Sequence, residues 1–167
     1  MIRLEKFEKN DFNRLINWID SEESMVLFSG PIFDYPITHV QLDEYINTDN
    51  RLTFRVVDIN SSKIIGHAEL NNIDLINKNA RISRVLVGDK QDRNKGYGKA
   101  IINELVNMGF KELKLHRLDL AVYDFNKQAI KCYVDCGFEI EGLFKDNKKV
   151  GNKYWSTYNM SIINQEN

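Results

Sequence analysis

Apolar residues recur along this chain in two rhythms, and the switches between them mark its elements. Ile2 to Phe7 alternates and predicts a strand. Phe12, Leu15, Ile16 and Ile19 fall on one face and predict a helix over 11–19. Phe28 to Pro36 reads as a loop that holds both prolines, Pro31 and Pro36. Thr38 is placed to cap a second helix running to about Ile46. Two strands, Leu52 to Ile59 and Lys63 to Asn72, flank the turn-forming run Asp58-Ile59-Asn60-Ser61-Ser62, which predicts a hairpin. Ala80 to Val87 is a further strand.

The period then changes. Ile101, Ile102, Leu105, Val106, Phe110 and Leu113 recur at three- and four-residue steps, the spacing of a helix. Leu118, Leu120 and Val122 alternate with Arg117, Asp119 and Tyr123, the spacing of a strand. Asn126 to Cys136 reads as a helix stopped by Gly137. Phe138 to Phe144 and Tyr154 to Ile163 close the chain as strands joined by a polar turn, Lys145 to Lys153. The strand–helix–strand segment in the middle implies a parallel pair with a crossover helix, and the flanking hairpins imply antiparallel pairs. The predicted fold class is mixed α/β, a mostly antiparallel sheet with helices on both faces. No linker or internal repeat divides the chain, so residues 1–167 are expected to form one domain.

Composition narrows the function classes. The formal net charge is −1, with both signs spread along the chain, so no basic field points to a nucleic-acid partner. No apolar run approaches the roughly 20 residues needed to span a bilayer. The charged start, Met1-Ile2-Arg3-Leu4-Glu5-Lys6, is no signal peptide, and a cytoplasmic location is expected. The two cysteines, Cys132 and Cys136, sit one helical turn apart. They make neither a disulfide framework nor a four-ligand zinc site, so reduced thiols and no metal are expected.

Candidate chemistry concentrates after the Ala80–Val87 strand. Val85-Leu86-Val87 runs into Gly88-Asp89-Lys90-Gln91-Asp92 and then Arg93-Asn94-Lys95-Gly96-Tyr97-Gly98-Lys99, where a helix opens. Amides freed at a helix start, a favourable dipole and glycines that admit close approach make a phosphate site. Arg93, Lys95 and Lys99 add charge. A P-loop would need Gly where Arg93 stands and Ser or Thr where Ala100 stands; a dinucleotide fingerprint would need Gly where Ile101 stands. A second constellation sets Asn126, Ala129 and Tyr133 on one face of the following helix.

Together, a strand, Arg-x-x-Gly-x-Gly, a helix, a strand, Asn-x-x-Ala with a Tyr on the same helix, and then Gly-Phe resemble the GCN5-related N-acetyltransferases. The ending Tyr154-Trp155-Ser156-Thr157-Tyr158-Asn159-Met160-Ser161 resembles the RimJ/RimL-like branch, which acetylates protein N-termini and has relatives that take small amines. The resemblance implies a central splayed parallel pair. It also implies acetyl-CoA as co-substrate, bound by Val85, Leu86, Val87, Arg93, Asn94, Lys95, Gly96, Tyr97, Gly98, Lys99, Asn126 and Ala129.

In the implied reaction a neutral amine attacks the thioester carbonyl directly. An amide from Val87 or Leu86 would hold the oxyanion, a contact typically worth about 3 kcal/mol. Tyr133 would give a proton to the departing thiolate, since a phenol with an ordinary pKa of about 10 is protonated at neutral pH. Glu69, on one strand face with His67, is the first candidate for a base acting through water, beside a surface-carboxylate reading; Ser83 is a further polar candidate, His116 reads as structural or solvent-exposed, and solvent can also take the proton. The acceptor is expected among Phe28, Tyr35 and Trp155, near Glu22, Glu23, Asp34, Asp43, Glu44 and Tyr154. A polyamine, a protein N-terminus and other small amines stay open. The last strand is free in this reading to pair with a second copy in a homodimer. The alternatives are a catalytically silent acyl-CoA-binding or sensing domain and a nucleotide-binding α/β protein.

Overall fold

The computed structural model describes residues 1–165. Its strands are β1 (Ile2–Lys6), β2 (Leu52–Asp58), β3 (Ile64–Asp74), β4 (Asn79–Val87), β5 (Arg117–Tyr123), β6 (Glu139–Val150) and β7 (Lys153–Ile163). Its helices are α1 (Phe12–Trp18), α2 (Glu22–Ser29), α3 (His39–Ile46), α4 (Tyr97–Asn107) and α5 (Lys127–Val134). The strands form one seven-stranded sheet in the order β1-β2-β3-β4-β5-β7-β6, and only β4 and β5 run parallel. The expected mixed, mostly antiparallel class is the observed one.

Two apolar clusters flank the sheet. One joins Ile101, Ile102 and Leu105 of α4 to Val56, Ala68, Leu70, Ile82, Leu118 and Leu120. The other gathers Phe12, Leu15, Met25, Phe28, Leu42 and Tyr45 of α1, α2 and α3. Because side chains alternate across a strand, Val85 and Val87 pack on the α4 side and Leu86 on the other.

Three elements differ from the sequence reading. A helix, α2, occupies Glu22–Ser29, where the loop was expected to begin at Phe28. Ser21 and Ser24 cap each other's amides there and start the helix. The polar stretch 145–153 is strand almost throughout, with the turn confined to Gly151 and Asn152. Ser156 and Thr157 hold Asp146 and Asn147 by hydrogen bonds, and this outer ribbon is solvated, so it needs no apolar alternation. The last strand β7 is interior, flanked by β5 and β6, so it is not free to pair; the outer edges belong to β1 and β6.

The feature that positions the site is a divergence. β4 and β5 pair only at Asn79, Ala80 and Arg81 with Arg117, Leu118 and Asp119. Beyond that point β4 stays with β3 and β5 stays with β7. A bulge contributes: two steps on β3, His67 to Glu69, match three on β4, Leu86 to Ser83, and Arg84 adopts a positive φ of 50°. Bulges bend and twist the strand that carries them.

Candidate active site

The divergence leaves the inner edge of β4 without a strand partner. Gly88 N–H donates to Ile65 C=O of β3, 2.9 Å away. Alternation therefore turns the Val87 N–H the other way, into the gap. The Val87 and Gly88 carbonyls accept from Arg93, each at 3.3 Å. Of the two expected amides, Val87's is the one that faces the gap.

The gap opens into a cleft of about 500 Å³ between β4, the 93–99 turn and α5. Val85, Leu86 and Val87 form one wall. Arg93, Asn94, Gly96, Gly98 and Lys99 form the turn side, and Asn126, Ala129 and Tyr133 the α5 side. Lys95 and Tyr97 are outside this lining. The Lys95 ammonium is 3.0 Å from Asp92, and the Tyr97 ring packs into the core under α4. Gln128 and Lys131, not singled out from sequence, also line the cleft, and the Gln128 amide donates to Asn94 across its mouth. Neither falls on the Asn126–Ala129–Tyr133 stripe, so helical spacing from Asn126 did not announce them.

The turn is built for an anion. Gly96 caps α4 at a left-handed φ of 84°, with no side chain filling the cap. A Cβ built there would meet no atom within 4 Å, so the amides at the start of α4 face open space. Asn126 caps α5, its Oδ1 accepting from Ala129 N–H at 3.1 Å, so it fills the cap and lines the cleft at once. This cradle, basic and free of side chains at its centre, fits the pyrophosphate of coenzyme A. Burial pushes the Tyr133 hydroxyl up to about 12, so it keeps its proton across the physiological range.

Glu69 departs from its expected place. It and His67 are wholly buried, and Glu69 lines neither this cleft nor the groove beside it. Its carboxylate accepts from Arg84 Nε at 2.6 Å and Nη2 at 3.0 Å, lies 3.4 Å from Arg51 Nε, and accepts from the Tyr45 hydroxyl. With its lone pairs so occupied, the base role has no geometry here. His116, exposed, lies at the end of β5 that is still paired, away from the gap.

Because Tyr45 gives its proton to Glu69, His67 Nε2 donates to the Tyr45 oxygen, and Nδ1 is left bare and buried. Burial, then the Arg84 charge, lowers the His67 pKa to about 3. At neutral pH the ring is neutral folded and unfolded. As pH falls below the ordinary 6.5, the unfolded chain gains a proton that the native chain refuses, so stability is lost down to about pH 3. Between pH 7 and about pH 4.5, wild type should lose about 2 kcal/mol more than His67→Gln. Urea midpoints at the two pH values check this.

A second groove, of about 450 Å³, lies on the other side of β4. It shares Val85, Leu86, Arg93 and Asn126 with the cleft and adds Asp20, Ser24 and Phe28. Tyr35 is exposed at its rim, its hydroxyl 3.5 Å from the Asp20 carbonyl. Trp155 stands apart from that lining, edge-on to Tyr123 and Phe125 at 5.0 and 4.9 Å. Tyr123 ties this ring cluster to α2 through the Val26 carbonyl. The structure thus places Phe28 in the groove, leaves Tyr35 outside its lining in contact with Asp20, and leaves Trp155 outside it as well. Among the described residues, no group of three or more His, Cys, Asp or Glu is arranged to hold a metal ion. No helix of theirs is long and apolar enough to cross a membrane.

Comparison with known proteins gives a consistent set. The family profile described as acetyltransferase (GNAT) domain matches residues 4–158. Spermidine N(1)-acetyltransferase of Vibrio cholerae serotype O1 is 29% identical over 126 residues, covering 74% of this chain and 72% of that protein. L-amino acid N-acetyltransferase AaaT of Escherichia coli K12 is 33% identical over 75 residues, covering 45% of this chain and 46% of that protein. The crystal structure of the V. cholerae spermidine N-acetyltransferase with CoA and spermine superposes with a TM-score of 0.84 over 97% of this chain and 95% of that one, at 24% identity.

Proposed function

The chain belongs to the GNAT-domain acetyltransferases, and on that premise we propose that it moves the acetyl group of acetyl-CoA to a primary amine of a small molecule by direct attack in a ternary complex. The observation that carries this reading is the gap between β4 and β5, with the start of α4, which no side chain caps, and Tyr133 in one cleft. Acetyl-CoA supplies the activated thioester. The α4 amides, Arg93 and Lys99 hold its pyrophosphate, and the β4 edge pairs with its amide-bearing arm. The Val87 N–H donates to the thioester oxygen where negative charge develops. Tyr133 donates its proton toward the departing sulfur. The amine arrives from the Asp20–Phe28 groove and loses its proton to solvent.

The spermidine acetyltransferases among the relatives favour a polyamine as acceptor. The resemblance of the final strand to the RimJ/RimL-like branch keeps a protein N-terminus as the second acceptor class. Thiol release from acetyl-CoA, measured across polyamines, amino acids and short peptides with free N-termini, tests the reading. Turnover with none of them would favour the silent acyl-CoA-binding alternative. Gly96→Asp puts a carboxylate where the phosphates sit, at a left-handed position that Asp tolerates. Its CoA affinity should fall at least about tenfold, about 1.4 kcal/mol, by calorimetry. Unchanged affinity in a folded protein would move the phosphate site elsewhere.

A further inference from the structure

The turn that follows β4 is held by a chain of contacts outside the cleft. Lys63, at the end of the β2–β3 hairpin, places its ammonium 2.7 Å from Asp89 and 2.7 Å from Asp92. Asp92 is buried and reaches the Lys95 ammonium with its other oxygen, at 3.0 Å. Asp89 also accepts from the Trp18 indole N–H at 3.2 Å. The indole lies against Gly88, where a Cβ would come within 2.1 Å of it. Gly88 follows Val87, and Lys95 precedes Gly96. One chain of side chains therefore pins both ends of the segment between the gap-facing amide and the α4 cap.

We propose that Lys63, acting through Asp89 and Asp92, is a positioning residue that fixes this turn in the shape that receives the coenzyme A pyrophosphate. Without the Lys63 cation the two carboxylates lie near each other with less compensation and repel. The turn then loses the support that Trp18 and Lys95 share with it. The proposal rests on the reading of the cleft as a coenzyme A site. It differs from a simple attraction between Lys63 and phosphate. In that case, removing the Asp92 charge would strengthen coenzyme A binding; under positioning, it weakens it.

The test measures binding of CoA and of pantetheine, which lacks the pyrophosphate, by calorimetry. The proteins are wild type, Lys63→Met, Asp92→Asn and, as a control for losing a distant surface ion pair, Lys9→Met. Both Lys63→Met and Asp92→Asn should weaken CoA binding about tenfold and leave pantetheine unchanged, with Lys63→Arg restoring most of the loss. Asp92→Asn binding CoA as well as or better than wild type would overturn the proposal. So would an equal loss for CoA and pantetheine. Wild type that binds no CoA would instead refute the reading of the cleft, and the proposal with it.

Discussion

Tyr133→Phe should lower turnover by about 10²–10⁴-fold, the usual worth of general acid catalysis. Acetyl-CoA affinity should barely change, because the ring and its packing against Phe138 are kept. The phenol lies in the cleft, and burial holds its proton firmly, up to about 12. A group so weakly acidic donates best as negative charge builds on a neighbouring sulfur in the same desolvated space. The deficit should therefore appear in kcat and kcat/KM together, and in the single-turnover rate, where chemistry is separated from product release. Wild-type turnover in the variant would reduce Tyr133 to a packing residue.

The second large effect is on stability. Arg84→Met removes the main partner of a buried carboxylate. Glu69 then keeps only Arg51 and Tyr45 in a site closed to water. Breaking a buried pair on one side typically costs about 3–5 kcal/mol. Met adopts the positive φ at this position no more easily than Arg, so the backbone term cancels in the comparison. Urea unfolding should show the loss in the single variant and partial recovery in Arg84→Met with Glu69→Gln, where the buried carboxylate is gone and Arg51 keeps the Tyr45 carbonyl and ring. Strict additivity of the two substitutions would mean the pair is not coupled.

What sequence disclosed follows how local each signal is. β5 was legible to the residue because one face is core and the other polar, so Leu118, Leu120 and Val122 stand out. The anion turn was legible because glycine spacing and basic residues are written within a few positions of each other. α2 was hidden because Met25-Val26-Leu27-Phe28 is an unbroken apolar run with no helical period; its one signal was the Ser21–Ser24 cap. The polar half of β6 was hidden because a ribbon exposed on both faces carries no alternation. Glu69 was misplaced for a third reason. Its partners Tyr45, Arg51 and Arg84 come from three separate parts of the chain, and the bulge that aims Arg84 uses a non-glycine at positive φ. No local pattern announces such a cluster.

The divergence of β4 from β5 also bears on how long the protein lasts. Six of the nine residues of β4 have no strand partner on the edge that faces β5. A donor whose own amides fill that edge binds the native chain and not the unfolded one. At a donor concentration one hundred times its dissociation constant, such linkage adds about 2.7 kcal/mol. For a protein with the usual 5–15 kcal/mol in hand, that is a substantial share. Because those amides belong to the coenzyme A arm and not to the acyl group, free coenzyme A and its thioesters alike would prolong the life of the folded chain.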